Sequence, residues 1–380
     1  MRKKSEKKSK GRLSIELTTT QACNYSCEYC FENDCIVPDD NKISNNVKFI
    51  IEALRNLLHS QWYNDTFEMI QLTFWGGEPT LNMKFINSIV EAFESYENVR
   101  FYIYTNGSRI NELLPLLIRM KDKKVGNASK FSIQVSYDGR PVHDMRRKSK
   151  SGNPTSSQTI KAIELLHSNE IEFALKSTLS HKDFKYLPEI WNDMHFLNLR
   201  YGVTYALTVD YHNIEIKKYF LDLEESLLEI AALEHKFYMK NKTFLSNIFS
   251  DDKKFCSAGK NMLTVDVDGN MYLCHGACYS DSSHDFLSGN IFTSKLIDKV
   301  RDNYNTFYDT AKMVDKCENC VAMSCLRCNV KKYEDSSEDA FLDRWHDYAC
   351  QEELCLYYKT TGRIGRALIE VLKEEKLWDA

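Results

Sequence analysis

Long apolar runs are missing from this chain of 380 residues. No stretch approaches the roughly 20 apolar residues of a membrane-spanning helix. The start, MRKKSEKKSKGR, lacks the apolar segment of a secretory signal. These absences predict a cytoplasmic protein with no membrane partner. Strong net charge is missing as well: the formal balance is −4 at pH 7, so nothing global argues for nucleic acid. The exception is the basic start, which reads as a solvated, disordered tail over residues 1–12. There are no internal repeats. Cysteine is absent from residues 36–255, although the chain holds 13 of them.

The cysteines therefore fall into two groups. One is Cys23, Cys27, Cys30 and Cys35; the other spans Cys256 to Cys355. In a cytoplasmic protein of this size, clustered cysteines point to metal before disulfides. Within QACNYSCEYC, three thiols sit in a C-x3-C-x2-C run with no histidine close by. A structural zinc site wants four ligands, and Cys35 is the one nearby candidate. An iron–sulfur cluster held by three thiolates would leave one iron open to a small molecule. Spacing alone leaves both readings standing.

Between the groups, strand and helix patterns alternate. Strands are expected at 13–19, 67–79, 99–107, 130–139, 171–180 and 200–209. Helices are expected at 43–58, 83–96, 110–123 (interrupted or started by Pro115), 156–169 and 186–197. Six strands alternating with five helices predict an α/β fold with a parallel sheet. Six units fit an open, partial (β/α)6 barrel before a doubly wound sheet, and in either case ligands belong at the carboxyl ends of the strands. The cysteine loop, GGEP (76–79), TNG (105–107) and SYDG (136–139) all lie at that end. A long helix over 215–241 leads to a cysteine-rich region with a β-hairpin at 263–274, turning at Asp268-Gly269, and a helix ends the chain over 360–377.

C-x3-C-x2-C with Tyr29 before the last cysteine resembles the radical S-adenosylmethionine (SAM) enzymes. Gly76, Gly77, Glu78 and Pro79 resemble their SAM-amino-group loop; Thr105 and Asn106 resemble the next strand-end motif. Ser136, Asp138, Gly139, His143, Asp144 and Arg147 resemble the one after that. The resemblance implies a [4Fe-4S] cluster on Cys23, Cys27 and Cys30. SAM would bind its open iron, with contacts from Tyr29, Gly76, Gly77, Glu78, Pro79, Thr105, Asn106, Ser136 and Arg147. Reductive cleavage of SAM would give a 5′-deoxyadenosyl radical that takes hydrogen from substrate.

The second cysteine group resembles the SPASM extension of radical SAM enzymes that modify peptides and proteins, which implies two auxiliary [4Fe-4S] clusters. The inner would use Cys256, Cys274 and Cys328; the outer Cys317, Cys320, Cys325 and Cys350. The inner cluster either keeps an open iron for a substrate thiolate or is closed by Cys278. Cys35 and Cys355 read as free core thiols. Sulfatase-maturing relatives carry an aspartate after the cysteine matching Cys274; here His275 stands there, a candidate base. Asp210, Tyr211 and His212, after the sixth strand, are candidates for substrate contact.

The expected organisation is a tail over 1–12, a radical SAM partial barrel over 13–212, a linking helix over 213–250, a SPASM domain over 251–355 and a C-terminal helix over 356–380. The expected function is maturation of a ribosomally made peptide by a thioether or C–C crosslink. The alternatives are formylglycine formation, as in sulfatase maturation, and a non-catalytic zinc or redox scaffold that binds RNA. Expected partners are the peptide or protein substrate, an electron donor such as flavodoxin or ferredoxin, and a separate leader-recognition protein.

Overall fold

Side chains alternate along the main strands between a fully apolar face and a polar one. The computed structural model describes residues 11–30, 42–209, 215–249, 258–278, 287–308 and 352–377. In chain order the strands are β1 (Gly11–Thr20), β2 (Tyr25–Cys27), β3 (Phe67–Gly76), β4 (Val99–Thr105), β5 (Lys124–Val125), β6 (Ala128–Ser129), β7 (Phe131–Ser136), β8 (Arg147–Ser149), β9 (Phe173–Leu179), β10 (Thr204–Val209), β11 (Met262–Val265), β12 (Asn270–Tyr272) and β13 (Leu287–Asn290). The helices are α1 (Lys42–Asn45), α2 (Val47–Leu58), α3 (Gln61–Thr66), α4 (Met83–Phe93), α5 (Ile110–Met120), α6 (His143–Arg146), α7 (Ser156–Ser168), α8 (Leu187–Tyr201), α9 (Phe220–Asn241), α10 (His275–Cys278), α11 (Leu296–Tyr308) and α12 (Glu352–Glu374).

The main sheet runs β10-β9-β7-β4-β3-β1-β11-β12-β13. The pairings from β10 to β11 are parallel, and β11-β12 and β12-β13 are antiparallel. The six expected strands are all present, with helices between them. One face carries Leu13, Ile15, Leu17, Ile70, Leu72, Phe74, Phe101, Ile103, Ile133, Val135 and Leu175, all buried against the helices. The other carries Ser14, Glu16, Gln71, Thr73, Tyr102, Tyr104, Gln134, Ser136, Lys176 and Thr178, joined in register across neighbouring strands. The sheet is curled around this polar face. Lys176 on β9 feels the charge of Glu16 on β1, with three strands between them. In a flat sheet four strand spacings would separate them by about 19 Å. The polar face is therefore the wall of a lumen.

The structure adds to and shifts parts of the sequence reading. β1 begins at Gly11, so Gly11 and Arg12 belong to the strand and not to a tail; Arg12 Nη1 donates to Gln71 Oε1 across β3. α5 runs through Pro115 without a break, its inner face held by buried Leu113, Leu116, Leu117 and Met120. The last helix starts at Glu352, which places Cys355 on it. The expected hairpin of the cysteine-rich region forms as β11 and β12 and extends the main sheet: β11 pairs in parallel with β1, from Ser14↔Met262 to Leu17↔Val265. Its turn follows the expected chemistry, with Gly269 at φ +81 and its N–H bonded to Asp266 O. The remainder of the expected tail, Cys35, Asp210, Tyr211, His212, Cys256, Cys317, Cys320, Cys325, Cys328 and Cys350 lie outside the described residues. Among the described residues no helix is long and apolar enough to cross a membrane.

The linking helix α9 is tied to the barrel by one carboxylate. Glu234 is fully buried and accepts from Trp191 Nε1 of α8 at 2.8 Å, Leu245 N at 2.8 Å, Ser246 N at 2.8 Å and Ser246 Oγ at 2.5 Å. Glu234→Ala strips four buried donors of their acceptor. It should cost about 3 kcal/mol or more in urea denaturation, with Glu234→Gln less damaging.

Candidate active site

The loop that carries Cys23, Cys27 and Cys30 begins at the carboxyl end of β1 and is fastened by every strand-end loop beside it. Its middle is the short strand β2, which pairs antiparallel with β8, Cys27 opposite Arg147. Asn24 accepts from Asn106 Nδ2 at 2.9 Å and donates to Ser108 Oγ at 2.8 Å. Tyr25 donates to Gln158 Oε1 at 3.2 Å. Tyr29 donates to Asp138 Oδ2 at 2.5 Å.

Asp138 is the centre of this fastening. It is fully buried, pairs with Arg147 through Nε at 2.9 Å and Nη2 at 3.1 Å, and accepts from Thr178 N at 3.0 Å. The Arg147 guanidinium also lies 5.2 Å from the Tyr29 ring centroid and 4.0 Å from Cys27 Sγ. It is thus largely committed to Asp138 and the cysteine loop. Bidentate pairing of this kind holds orientation as well as charge.

The GGEP stretch seats on the same loop. Gly76 has φ +126, and a Cβ on Gly77 would sit 2.3 Å from Ala22 O. Only glycine lets this backbone lie flat on residues 20–22, where Gly77 N bonds Thr20 O and Glu78 N bonds Ala22 O. Glu78 itself is buried and turned inward. It accepts from Thr80 N and Oγ1, Thr105 Oγ1 at 2.7 Å and Asn106 N at 2.8 Å. Burial, outweighing these donors, holds its carboxyl above the usual range. It caps the 3-10 turn at Pro79–Asn82. Thr105 and Asn106 therefore brace the loops with their side chains. Ser136 sits on the lumen wall opposite Lys176.

The three thiols are partly buried and not in disulfides. Burial first, then the backbone and the charges of Glu78, Cys27 and Cys30, set the Cys23 thiol, which is pushed up to about 12. Burial raises Cys27 as well, against the charge of Arg147. Thiols held up in this way suit a multivalent iron–sulfur centre, which would stabilise their deprotonated form. Among the described residues no three His, Cys, Asp or Glu side chains are gathered for a single metal ion. A four-iron cluster would take each thiolate on a different iron, so Cys23, Cys27 and Cys30 could hold it without meeting at one point.

The second region reaches the lumen through His275. Its N–H and Nδ1 meet Glu16 at 3.2 and 3.0 Å from Oε2, and its ring centroid lies 5.0 Å from that of Trp75. Thr264 Oγ1 donates to the same carboxylate oxygen at 2.6 Å. Burial alone would raise the Glu16 carboxyl; the His275 charge and these hydrogen bonds bring it below its usual range. Cys274 is buried, and α10 places Cys278 one turn later, its Sγ 3.7 Å from Cys274 O. The sequence reading missed Glu16, Trp75 and Lys176. Glu16 is a single charge in the apolar alternation of LSIELTT, which was the available signal.

The comparisons agree with this geometry. Residues 17–181 match the model of the radical SAM superfamily, and residues 256–321 that of the SPASM iron–sulfur cluster-binding domain. An uncharacterised protein of Methanocaldococcus jannaschii is 29% identical over 270 residues, covering 70% of this chain and 85% of its own. The radical SAM cyclopropyl synthase TigE of Paramaledivibacter caminithermalis is 21% identical over 291 residues, covering 70% of this chain and 57% of its own. The structure of anSMEcpe with bound AdoMet and Cp18Cys peptide has a TM-score of 0.66 at 19% identity, over 96% of this chain and 99% of that one; it shares the fold. Fold and site define a radical SAM enzyme, which takes SAM and a [4Fe-4S] cluster. More particularly, the chain belongs to the radical SAM enzymes that carry a C-terminal SPASM domain for auxiliary clusters. That class displaces the reading of a non-catalytic RNA-binding scaffold.

His143 offers a test of the bracing. It is fully buried; Nδ1 accepts from Asp138 N at 3.3 Å, and Nε2 meets Thr155 Oγ1 at 3.2 Å, whose own proton goes to Arg147 O. That arrangement needs neutral imidazole. Burial, foremost, depresses its pKa to about 4 from 6.5. The unfolded chain therefore binds the extra proton between these values, so stability falls as pH drops from about 6.5 to about 4. The contribution is about 3 kcal/mol. Denaturation of His143→Gln should show a flatter pH dependence over that window.

Proposed function

We propose that this enzyme is a peptide maturase that installs a thioether or C–C crosslink in a ribosomally made peptide. The observation that carries this reading is the junction of the two cysteine regions. Parallel pairing of β11 with β1, and the bonds of Thr264 and His275 to Glu16, set Cys274 beside the lumen that the first cysteine loop caps. A substrate in that lumen can face both regions.

Cys23, Cys27 and Cys30 hold the SAM-binding cluster. Cys256, Cys274, Cys278 and Cys328 supply the inner auxiliary site, and Cys317, Cys320, Cys325 and Cys350 the outer one. The position of Cys278 on α10, one turn after Cys274, supports choosing it as the fourth inner ligand over an open iron. When bound, SAM supplies a 5′-deoxyadenosyl radical that removes hydrogen from the substrate. The backbone of Gly76, Gly77 and Pro79 forms the seat for the SAM amino group, and the Ser136 hydroxyl faces the lumen to contact it. Tyr29, Glu78, Thr105, Asn106 and Arg147 keep that seat rigid beneath SAM. His275, oriented by Glu16, and Asp210 contact the peptide. An electron donor such as flavodoxin or ferredoxin and a separate leader-recognition protein complete the system.

Anaerobically reconstituted protein should hold on the order of twelve irons, for three tetranuclear clusters. SAM cleavage should disappear in Cys27→Ala; cleavage that persists would remove the first cluster from these residues. Peptides encoded beside the gene should lose two hydrogens on turnover, seen by mass spectrometry. Exchange of a cysteine sulfur for oxygen would identify formylglycine formation instead.

A further inference from the structure

β9 brings one ammonium group into the lumen. Lys176 lies between Leu175 and Ser177, both buried on the opposite face of the strand, and register sets it beside Ser136 of β7 and Ala206 of β10. Those neighbours are small, as are Ala174 and Thr178 one alternation away on β9, so space remains around the amine. Among the described residues the Lys176 side chain makes neither an ion pair nor a hydrogen bond.

The charges that reach it are already engaged. Arg147, which repels it, is paired with Asp138; Glu16, which attracts it, takes Thr264 Oγ1, His275 N and His275 Nδ1. Burial and then the like charge of Arg147 hold the Lys176 amine below its usual range. Lys176 is half-buried, and an ammonium partly withdrawn from water gains from a counter-ion. Here sheet register prevents the stem from turning out to solvent, because a lumen-facing position on β9 cannot exchange faces without breaking both neighbouring ladders.

We propose that Lys176 is the carboxylate-binding residue of the lumen, and that a bound molecule brings the counter-ion that the described residues do not supply. The carboxylate is either the methionyl carboxylate of SAM or an acidic group of the peptide substrate. The assignment rests on reading the barrel as the SAM site and adds to it a residue that the motif resemblance did not include.

The experiment uses cluster-reconstituted enzyme and measures dissociation constants by calorimetry. The first probe pair is SAM and decarboxylated SAM. The second, added with SAM present, is the acetylated, amidated tripeptide Ala-Asp-Ala and its Ala-Asn-Ala counterpart. Lys176→Met should weaken one carboxylate-bearing probe by roughly tenfold or more and leave its carboxylate-free counterpart within about twofold. Lys176→Arg, which keeps the charge, should retain most of the discrimination. A loss confined to SAM assigns the methionyl carboxylate; a loss confined to the aspartyl peptide assigns the substrate. Iron content and circular dichroism matching wild type show that the variant is folded, and Lys176→Gln replaces it if they do not match. Unchanged discrimination in both pairs overturns the role of Lys176 alone. Wild-type holoenzyme that binds no SAM overturns the SAM reading and this inference together.

Discussion

A strand with parallel neighbours on both edges and side chains buried on both faces cannot shift without moving everything attached to it. β1 is that strand. It pairs with β3 on one side and β11 on the other, and from Leu13 to Thr20 it is buried throughout. The first cysteine loop leaves its carboxyl end, and the second cysteine region hangs on its free edge. The relative placement of the two regions is therefore set by backbone hydrogen bonds and by one carboxylate, Glu16, and not by a flexible linker.

Around the first cysteine loop the structure spends many buried polar groups on rigidity. Asp138 collects Tyr29, Arg147 and the Thr178 N–H; Glu78 collects Thr80, Thr105 and the Asn106 N–H. Such groups are costly to bury unless fully satisfied. Here each joins loops from different strands, so their satisfaction and the closure of the site are the same event. A radical reaction needs its reactive groups held in place, and a loop fastened at several points supplies that.

The sequence motifs of a radical SAM enzyme are often read as a set of cofactor contacts. In this molecule several of them face inward. Glu78 caps a turn, Asp144 accepts from the N–H groups of Thr155 and Ser156 at the start of α7, and His143 is a neutral brace. The surfaces left for a ligand are backbone at Gly76 and Gly77 and a lumen wall of small polar side chains, with Lys176 among them.

Much of this was legible in the chain itself. Alternation in LSIELTT, FEMIQLTFW and VRFYIYT marked three of the six strands and which face of each is apolar, because side-chain period in a strand is two and burial acts on every other residue. The spacing of Cys23, Cys27 and Cys30 on one short loop pointed to a shared metal centre, and by itself left iron–sulfur and zinc both standing. Contacts between elements far apart in sequence were decided only by the tertiary structure. Nothing local in MLTV says that it will pair with β1, that Glu16 will meet His275, or that Lys176 will share a lumen with both. Those depend on how the sheet curls and which edge stays open, and such long-range pairing leaves no periodicity in the residues that make it.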